Sequence, residues 1–137
     1  MNRKSVFVDT GAWFAIADKS DQFHHHAKSH LKKIVENGDG ITTSNLVIHE
    51  TAMLLARRLS KHAAIQFLDL VAKDENVVVL QSDAAIEQDA YEVFRKYDEH
   101  DFSIVDCVSF VLMKNFEIKR TFTFDKHFKT MRFSAEP

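Results

Sequence analysis

Short unbroken apolar runs alternate along this chain with longer stretches whose apolar residues recur every three or four positions. The runs Ser5–Val8 (SVFV), Gly40–Ser44 (GITTS), 76–80 (NVVVL) and 120–124 (RTFTF) are rich in β-branched and aromatic residues and read as strands. A further edge strand is expected near 131–134. The stretches between them read as helices. Thr10-Gly11 turns the chain into a short helix at 12–17, and Asp21 is placed to cap a helix at 22–36 whose stripe is Ala27, Leu31, Ile34 and Val35. Asn37-Gly38-Asp39-Gly40 is a stop and turn. The helix predicted at 45–59 carries Leu46, Met53, Leu54 and Leu55, and Ser60 caps a second with Ala64, Phe67, Leu68 and Val71. Ser82 opens a long helix with Ile86, Ala90, Val93, Phe94 and Tyr97 on its inner side. The stretch 103–116 is apolar nearly all round, so its helix belongs at the centre. A helical turn follows Asp125.

Strands separated by helices need crossover connections. The expected fold is therefore α/β, a three-layer α/β/α sandwich on a mainly parallel central sheet. With 137 residues and no repeat, linker or low-complexity tract, the whole chain (1–137) reads as one domain.

Composition narrows the function. Three glycines and one proline leave few tight turns, and the twelve phenylalanines belong to the core or partly to a subunit interface. The lone Cys107 excludes an internal disulfide and a cysteine zinc site, and fits a reducing compartment. No apolar stretch approaches membrane-spanning length and the start reads without a signal-peptide core, so a cytoplasmic location is expected. A net charge of −2 argues against indiscriminate nucleic-acid binding, but bound divalent ions would reverse the sign locally at an acidic site.

The candidate chemistry lies in four acids. The first and last long strands each break off at an aspartate, giving VFVD9 and TFTFD125. In open α/β sheets the carboxyl edge of the strands is where ligands bind. Either residue could instead cap the helix that follows it. Glu50 shares a helix side with Leu46, Met53 and Leu54, where a charge needs a metal or a partner such as Arg57 or Arg58. Asp106 stands three residues after Ser103, the spacing of a capping box, and at a sheet edge that turn also faces the crevice. Two carboxylates a few ångströms apart repel by about 4 kcal/mol at an effective dielectric of about 20. Acids gathered in one place must bind a proton or a cation. Oxygen donors without a patterned Cys or His set suit Mg²⁺ or Mn²⁺.

The stretches VFVDTGAWFAIAD, Asp21-x-x-His24-x-x-Ala27, TTSNLVIHETAMLLARR, DFSIVDCVSFVLMKNF and TFTFDKHF, in this order, resemble the PIN-domain family. Its best-known members are the VapC toxins of bacterial toxin–antitoxin pairs. The resemblance spans essentially the whole chain. It implies that Asp9, Glu50, Asp106 and Asp125 form the family's acidic quartet, supported by Thr10 and Ser103. It further implies a Mg²⁺- or Mn²⁺-dependent ribonuclease leaving 5′-phosphate and 3′-hydroxyl ends, usually dimeric and held inactive by an antitoxin protein. RNA phosphates would need basic side chains, for which Arg57, Arg58, Lys61, Lys126 and Lys129 are candidates, each otherwise a solvated surface charge. Trp13, Phe14 and Phe128 would stack on bases or pack in the core. His24, His25, His26 and His30 read as a solvent-exposed cluster, with His24 packing the helix entrance. A phosphotransferase of the HAD type is disfavoured because Gly11 stands where its second aspartate is required. A catalytically silent PIN-fold scaffold that binds protein or RNA is the alternative.

Overall fold

The computed structural model describes residues 4–137. The reading of the first residues lies partly outside that range. Among the described residues five strands form one sheet: β1 (Ser5–Val8), β2 (Gly40–Ser44), β3 (Val77–Leu80), β4 (Arg120–Phe122) and β5 (Ser134–Glu136). Their order is β3-β2-β1-β4-β5 and every pairing is parallel. Seven helices of the described residues connect and cover them: α1 (Thr10–Ala17), α2 (His24–Glu36), α3 (Asn45–Arg58), α4 (Lys61–Lys73), α5 (Ala84–Lys96), α6 (Ile104–Asn115) and α7 (His127–Thr130). Val6, Phe7 and Val8 are fully buried although successive side chains point to opposite faces, so helices cover both sides of the sheet. The predicted sandwich is the observed fold.

Chain direction across the sheet reverses beside β1. The chain moves outward from β1 through β2 to β3, then returns to place β4 on the other side of β1. The register pairs Val8 with Phe122, so the carboxyl ends of β1 and β4 finish level. The backbone N–H of Asp9 extends that ladder by donating to the Phe122 carbonyl at 3.0 Å. Such a reversal point opens a crevice beyond the strand ends. Residues 9 and 123–125 are delivered to it by two adjacent strands.

Several local expectations shift. Helix α1 begins at Thr10, so Thr10-Gly11 is its first turn. Helix α2 starts at His24, because the Asp21 carboxylate accepts from the Phe23 N–H at 2.9 Å and holds a turn ahead of the helix. Asp83, not Ser82, caps α5, accepting from the Ile86 N–H. Strand β4 ends at Phe122, two residues early, and β5 lies three residues later than expected. The stop after α2 is a Schellman turn: Gly38 takes φ +74°, and Asp39 N–H donates to the Ile34 carbonyl at 3.1 Å.

Some residues assigned to inner stripes face outward: Val35, Met53, Leu68 and Phe94 are exposed. The buried face of α3 is Val47, Ile48, Thr51 and Leu55, one step round from the predicted stripe. The central position of α6 is as expected, with every residue from Cys107 to Met113 buried. Burial pushes the Cys107 thiol up to about 11, so it is inert. Arg120, at the start of β4, binds Glu136, at the end of β5, through two hydrogen bonds and Asp39, just before β2, through a third, each 2.9 Å. His30, expected in solvent, joins this network at 2.9 Å from Glu136 because α2 packs over the end of β5.

Candidate active site

Asp9 is the most buried of the acids, 5 % exposed at the end of β1. It occupies the N-cap position of α1, yet its side chain makes no capping hydrogen bond. Its Oδ2 instead accepts from the Thr123 hydroxyl at 3.1 Å. Burial, and next the charge of Asp106, push its carboxyl from an ordinary 3.8 up to about 7. The Thr10 amide and the Thr123 hydroxyl oppose that rise, and Asp125 adds a smaller upward push. Without a cation, the carboxyl therefore holds its proton up to near-neutral pH.

Asp106 and Asp125 meet across a histidine. Ser103 and Asp106 form the expected capping box, the Ser103 N–H donating to Asp106 Oδ2 and the Asp106 N–H to Ser103 Oγ, both at 3.0 Å. Asp125 does not cap α7, whose N-cap is Lys126; it holds a turn ahead of the helix, its Oδ1 accepting from the His127 N–H at 2.9 Å. Its other oxygen lies 3.1 Å from His127 Nδ1, and Asp106 Oδ2 lies at the same distance from that nitrogen. Asp106 thus fills its capping box and Asp125 a turn before α7, and both carboxylates still approach one histidine. The ring is held edge-on against Phe102, with centroids 5.2 Å apart. Donor atoms of Asp106, Asp125 and His127 all fall within 4.8 Å of one another.

Glu50 reaches the same cleft from α3. Asp9, Thr10, Glu50, Arg58, Ser103, Asp106, Asp125 and Lys126 line a common cavity of 720 Å³. The helix side carrying Glu50 is the cleft wall rather than a core stripe, since Leu54 also lines the cavity and Met53 is exposed. No ion pair to Arg57 or Arg58 restrains Glu50 among the described residues. The Arg58 guanidinium instead lies over the Phe14 ring, 5.4 Å from its centroid.

The remaining candidates divide. Arg58 and Lys126 line the cavity, whereas Arg57, Lys61 and Lys129 are exposed outside its lining. Trp13 is buried and donates to Thr43 Oγ1, and Phe128 is fully buried, so both are core. Phe14 is buried but forms part of the cavity wall. His24 packs the entrance of α2 as expected, Nδ1 lying 2.8 Å from the Ala15 carbonyl. Sequence reasoning missed His127, and missed the Phe23–Phe124 stack (4.5 Å, 7°), both of whose residues line the cavity. The Asp125-x-His127 spacing was the available signal for the histidine.

The donor set fits a hard divalent cation. Four carboxylates share one cavity, and burial together with the charges of Asp106 and Asp125 pushes one of them, Asp9, up to about 7. In the same wall the Thr10 hydroxyl oxygen is buried with no hydrogen-bond partner among the described residues. A buried hydroxyl without a partner is costly, and a cation's water or a phosphate oxygen would satisfy it.

Comparison with known proteins agrees with this architecture. The PIN domain family model matches residues 6–134. The 23S rRNA-specific endonuclease VapC20 of Mycobacterium tuberculosis is 33 % identical over 132 residues, covering 93 % of this chain and 95 % of that protein. The crystal structure of VapC20, described as a sarcin–ricin loop cleaving toxin, superposes with a TM-score of 0.84 at 31 % identity over 93 % of this chain and 95 % of that one. VapBC2 of Rickettsia felis, solved on a DNA fragment from its promoter, shares the fold, with a TM-score of 0.72 at 13 % identity over 96 % and 97 % of the two chains. On the family match and the identity to VapC20, this chain belongs to the PIN domain family.

Proposed function

We propose that the chain is a metal-dependent endoribonuclease that hydrolyses RNA phosphodiester bonds, the toxin of a VapBC-type toxin–antitoxin pair. The observation that carries this reading is the convergence of Asp9, Glu50, Asp106 and Asp125 on one cavity. The similarity to VapC20 along nearly the full chain supports it.

Asp9, Asp106, Asp125 and Glu50 are assigned as the residues that hold Mg²⁺ or Mn²⁺. A divalent ion bound there supplies a water of lowered pKa and stabilises charge on the scissile phosphate. Asp9 and Asp106, from the sheet edge and the first turn of α6, are assigned as direct ligands. Glu50 and Asp125 bind a second ion, bind through water, or orient the attacking water. Thr123 holds Asp9 by its hydroxyl, and Ser103 fixes the Asp106 carboxylate through its N–H. Thr10 offers its unpaired hydroxyl to a water or a phosphate oxygen. Arg58 and Lys126 at the cavity wall take the flanking phosphates. Phe23 and Phe124 present a stacked aromatic pair at the same wall for an unpaired base.

VapC20 is named for cleavage of 23S rRNA, which makes a ribosomal RNA hairpin the first substrate to try. By the same family logic the protein acts in the cytoplasm as a homodimer, silenced by a cognate antitoxin. The test is cleavage of structured and single-stranded RNA with Mg²⁺, Mn²⁺ or EDTA, beside Asp9→Asn and Asp106→Asn. Wild type should cleave only with metal, and each variant should lose about a hundredfold or more, the few kcal/mol a metal centre contributes. Equal residual cleavage in all three proteins, or none in any, would favour the silent scaffold.

A further inference from the structure

We propose that His127 is a nitrogen ligand of the divalent ion in the acidic cleft, alongside Asp106 and Asp125, and that it biases the site toward Mn²⁺ over Mg²⁺. The inference rests on reading the cleft as a metal centre and adds a donor of a different chemical kind to its acids.

The geometry is what a coordination shell requires. His127 Nδ1 stands 3.1 Å from Asp106 Oδ2 and 3.1 Å from Asp125 Oδ2. Neighbouring vertices of an octahedron with bonds of about 2.1 Å are about 3.0 Å apart, so both spacings match adjacent ligand positions. As a hydrogen bond the arrangement is poor. One ring nitrogen carries at most one proton, and here it would be divided between two carboxylate oxygens at the long end of the range. A cation bound by all three atoms would satisfy each lone pair with little change in spacing. The residues are also pre-positioned. Asp106 is pinned by the Ser103 N–H, Asp125 by the His127 N–H, and the imidazole by the edge of Phe102. Thr10, whose hydroxyl has no partner among the described residues, lines the cavity with Asp106 and Asp125 and points independently to a polar guest.

The metal preference follows from the donor atoms. Carboxylates serve Mg²⁺ and Mn²⁺ alike, whereas imidazole nitrogen is a ligand of transition metals that Mg²⁺ rarely takes. Exchanging one oxygen for nitrogen therefore weakens Mg²⁺ relative to Mn²⁺.

Pulsed electron paramagnetic resonance of the protein titrated with Mn²⁺ tests this directly, because a directly bound ¹⁴N modulates the echo. Wild type should show bound Mn²⁺ with ¹⁴N modulation. His127→Gln should still bind Mn²⁺ through its acids, without that modulation, and its preference for Mn²⁺ over Mg²⁺ in competition should fall at least about tenfold. Mn²⁺ bound to wild type without ¹⁴N modulation would overturn the role of His127 and leave the acidic centre standing. Modulation that persists in His127→Gln would overturn it equally. Mn²⁺ that stays free in solution would remove the metal centre itself, and this inference with it.

Discussion

Thr123 and Asp9, 114 residues apart in the chain, are joined by a hydrogen bond of 3.1 Å from the threonine hydroxyl to the buried carboxylate. The same hydroxyl accepts from the Asp125 N–H at 3.0 Å, so one side chain couples the first acid of the cleft to the last. The bond exists because β1 and β4 are parallel neighbours whose carboxyl ends finish level.

Removing that donor should make Asp9 harder to ionise. Thr123→Val takes away one of the two bonds that oppose the upward shift of the carboxyl. A net hydrogen bond of about 1 kcal/mol corresponds to roughly half to one pH unit. At sub-saturating metal, the acid limb of the RNA-cleavage profile should move to higher pH by about that amount. Thr123→Ser should leave it in place.

Asp9 also sets how the metal-free protein responds to pH. Its pKa is higher folded (about 7) than unfolded (3.8), so the native state binds more protons over that window. The associated stability is complete below about pH 4 and is lost as pH rises through about 7. The slope is at most roughly 1.4 kcal/mol per pH unit. Urea titrations in EDTA across this range should show the decline, and Asp9→Asn should abolish most of it. Divalent metal should restore stability above pH 7 in wild type and not in the variant.

The basic residues should separate by position. Arg58 lines the cavity and lies over Phe14, whereas Lys61 is exposed outside the lining. Arg58→Ala should weaken RNA binding and flatten the plot of log affinity against log salt by about one unit. Lys61→Ala should do neither within error. Fluorescence anisotropy with a labelled RNA, in Ca²⁺ to prevent turnover, reads both.

Outside the cavity lining, Arg120→Met should cost stability without touching the cleft. It removes the guanidinium from Asp39 and leaves Glu136 with His30 alone, both carboxylates being largely buried. Breaking a fully buried pair costs about 3–5 kcal/mol, and with Arg120 still 28 % exposed about 2 kcal/mol is expected. The folded variant should cleave RNA as wild type does.

The sheet, its parallel order and the central place of α6 were legible because apolar runs and helical periods are local signals. Glu50 was found for a partly mistaken reason. The apolar spacing around it reads as a core stripe, but Val47, Ile48, Thr51 and Leu55 hold the core and Glu50 lines the cleft. Val35 and Phe94 show the same limit, since an apolar residue on a helix carries no mark of what will cover it. The ends of β4 and β5 were misplaced by two or three residues because hydrogen-bond partners, not composition, end a strand. His127 escaped notice because its meaning depends on Asp106, twenty-one residues away, and only the fold brings their atoms to 3.1 Å.

The most direct test is anomalous diffraction from a crystal of the wild-type protein grown with Mn²⁺. A manganese peak should appear in the cavity, bonded to carboxylate oxygens of Asp9 and Asp106 at about 2.1–2.2 Å. A fully soaked crystal with no manganese within bonding distance of any of Asp9, Glu50, Asp106 or Asp125 would contradict it.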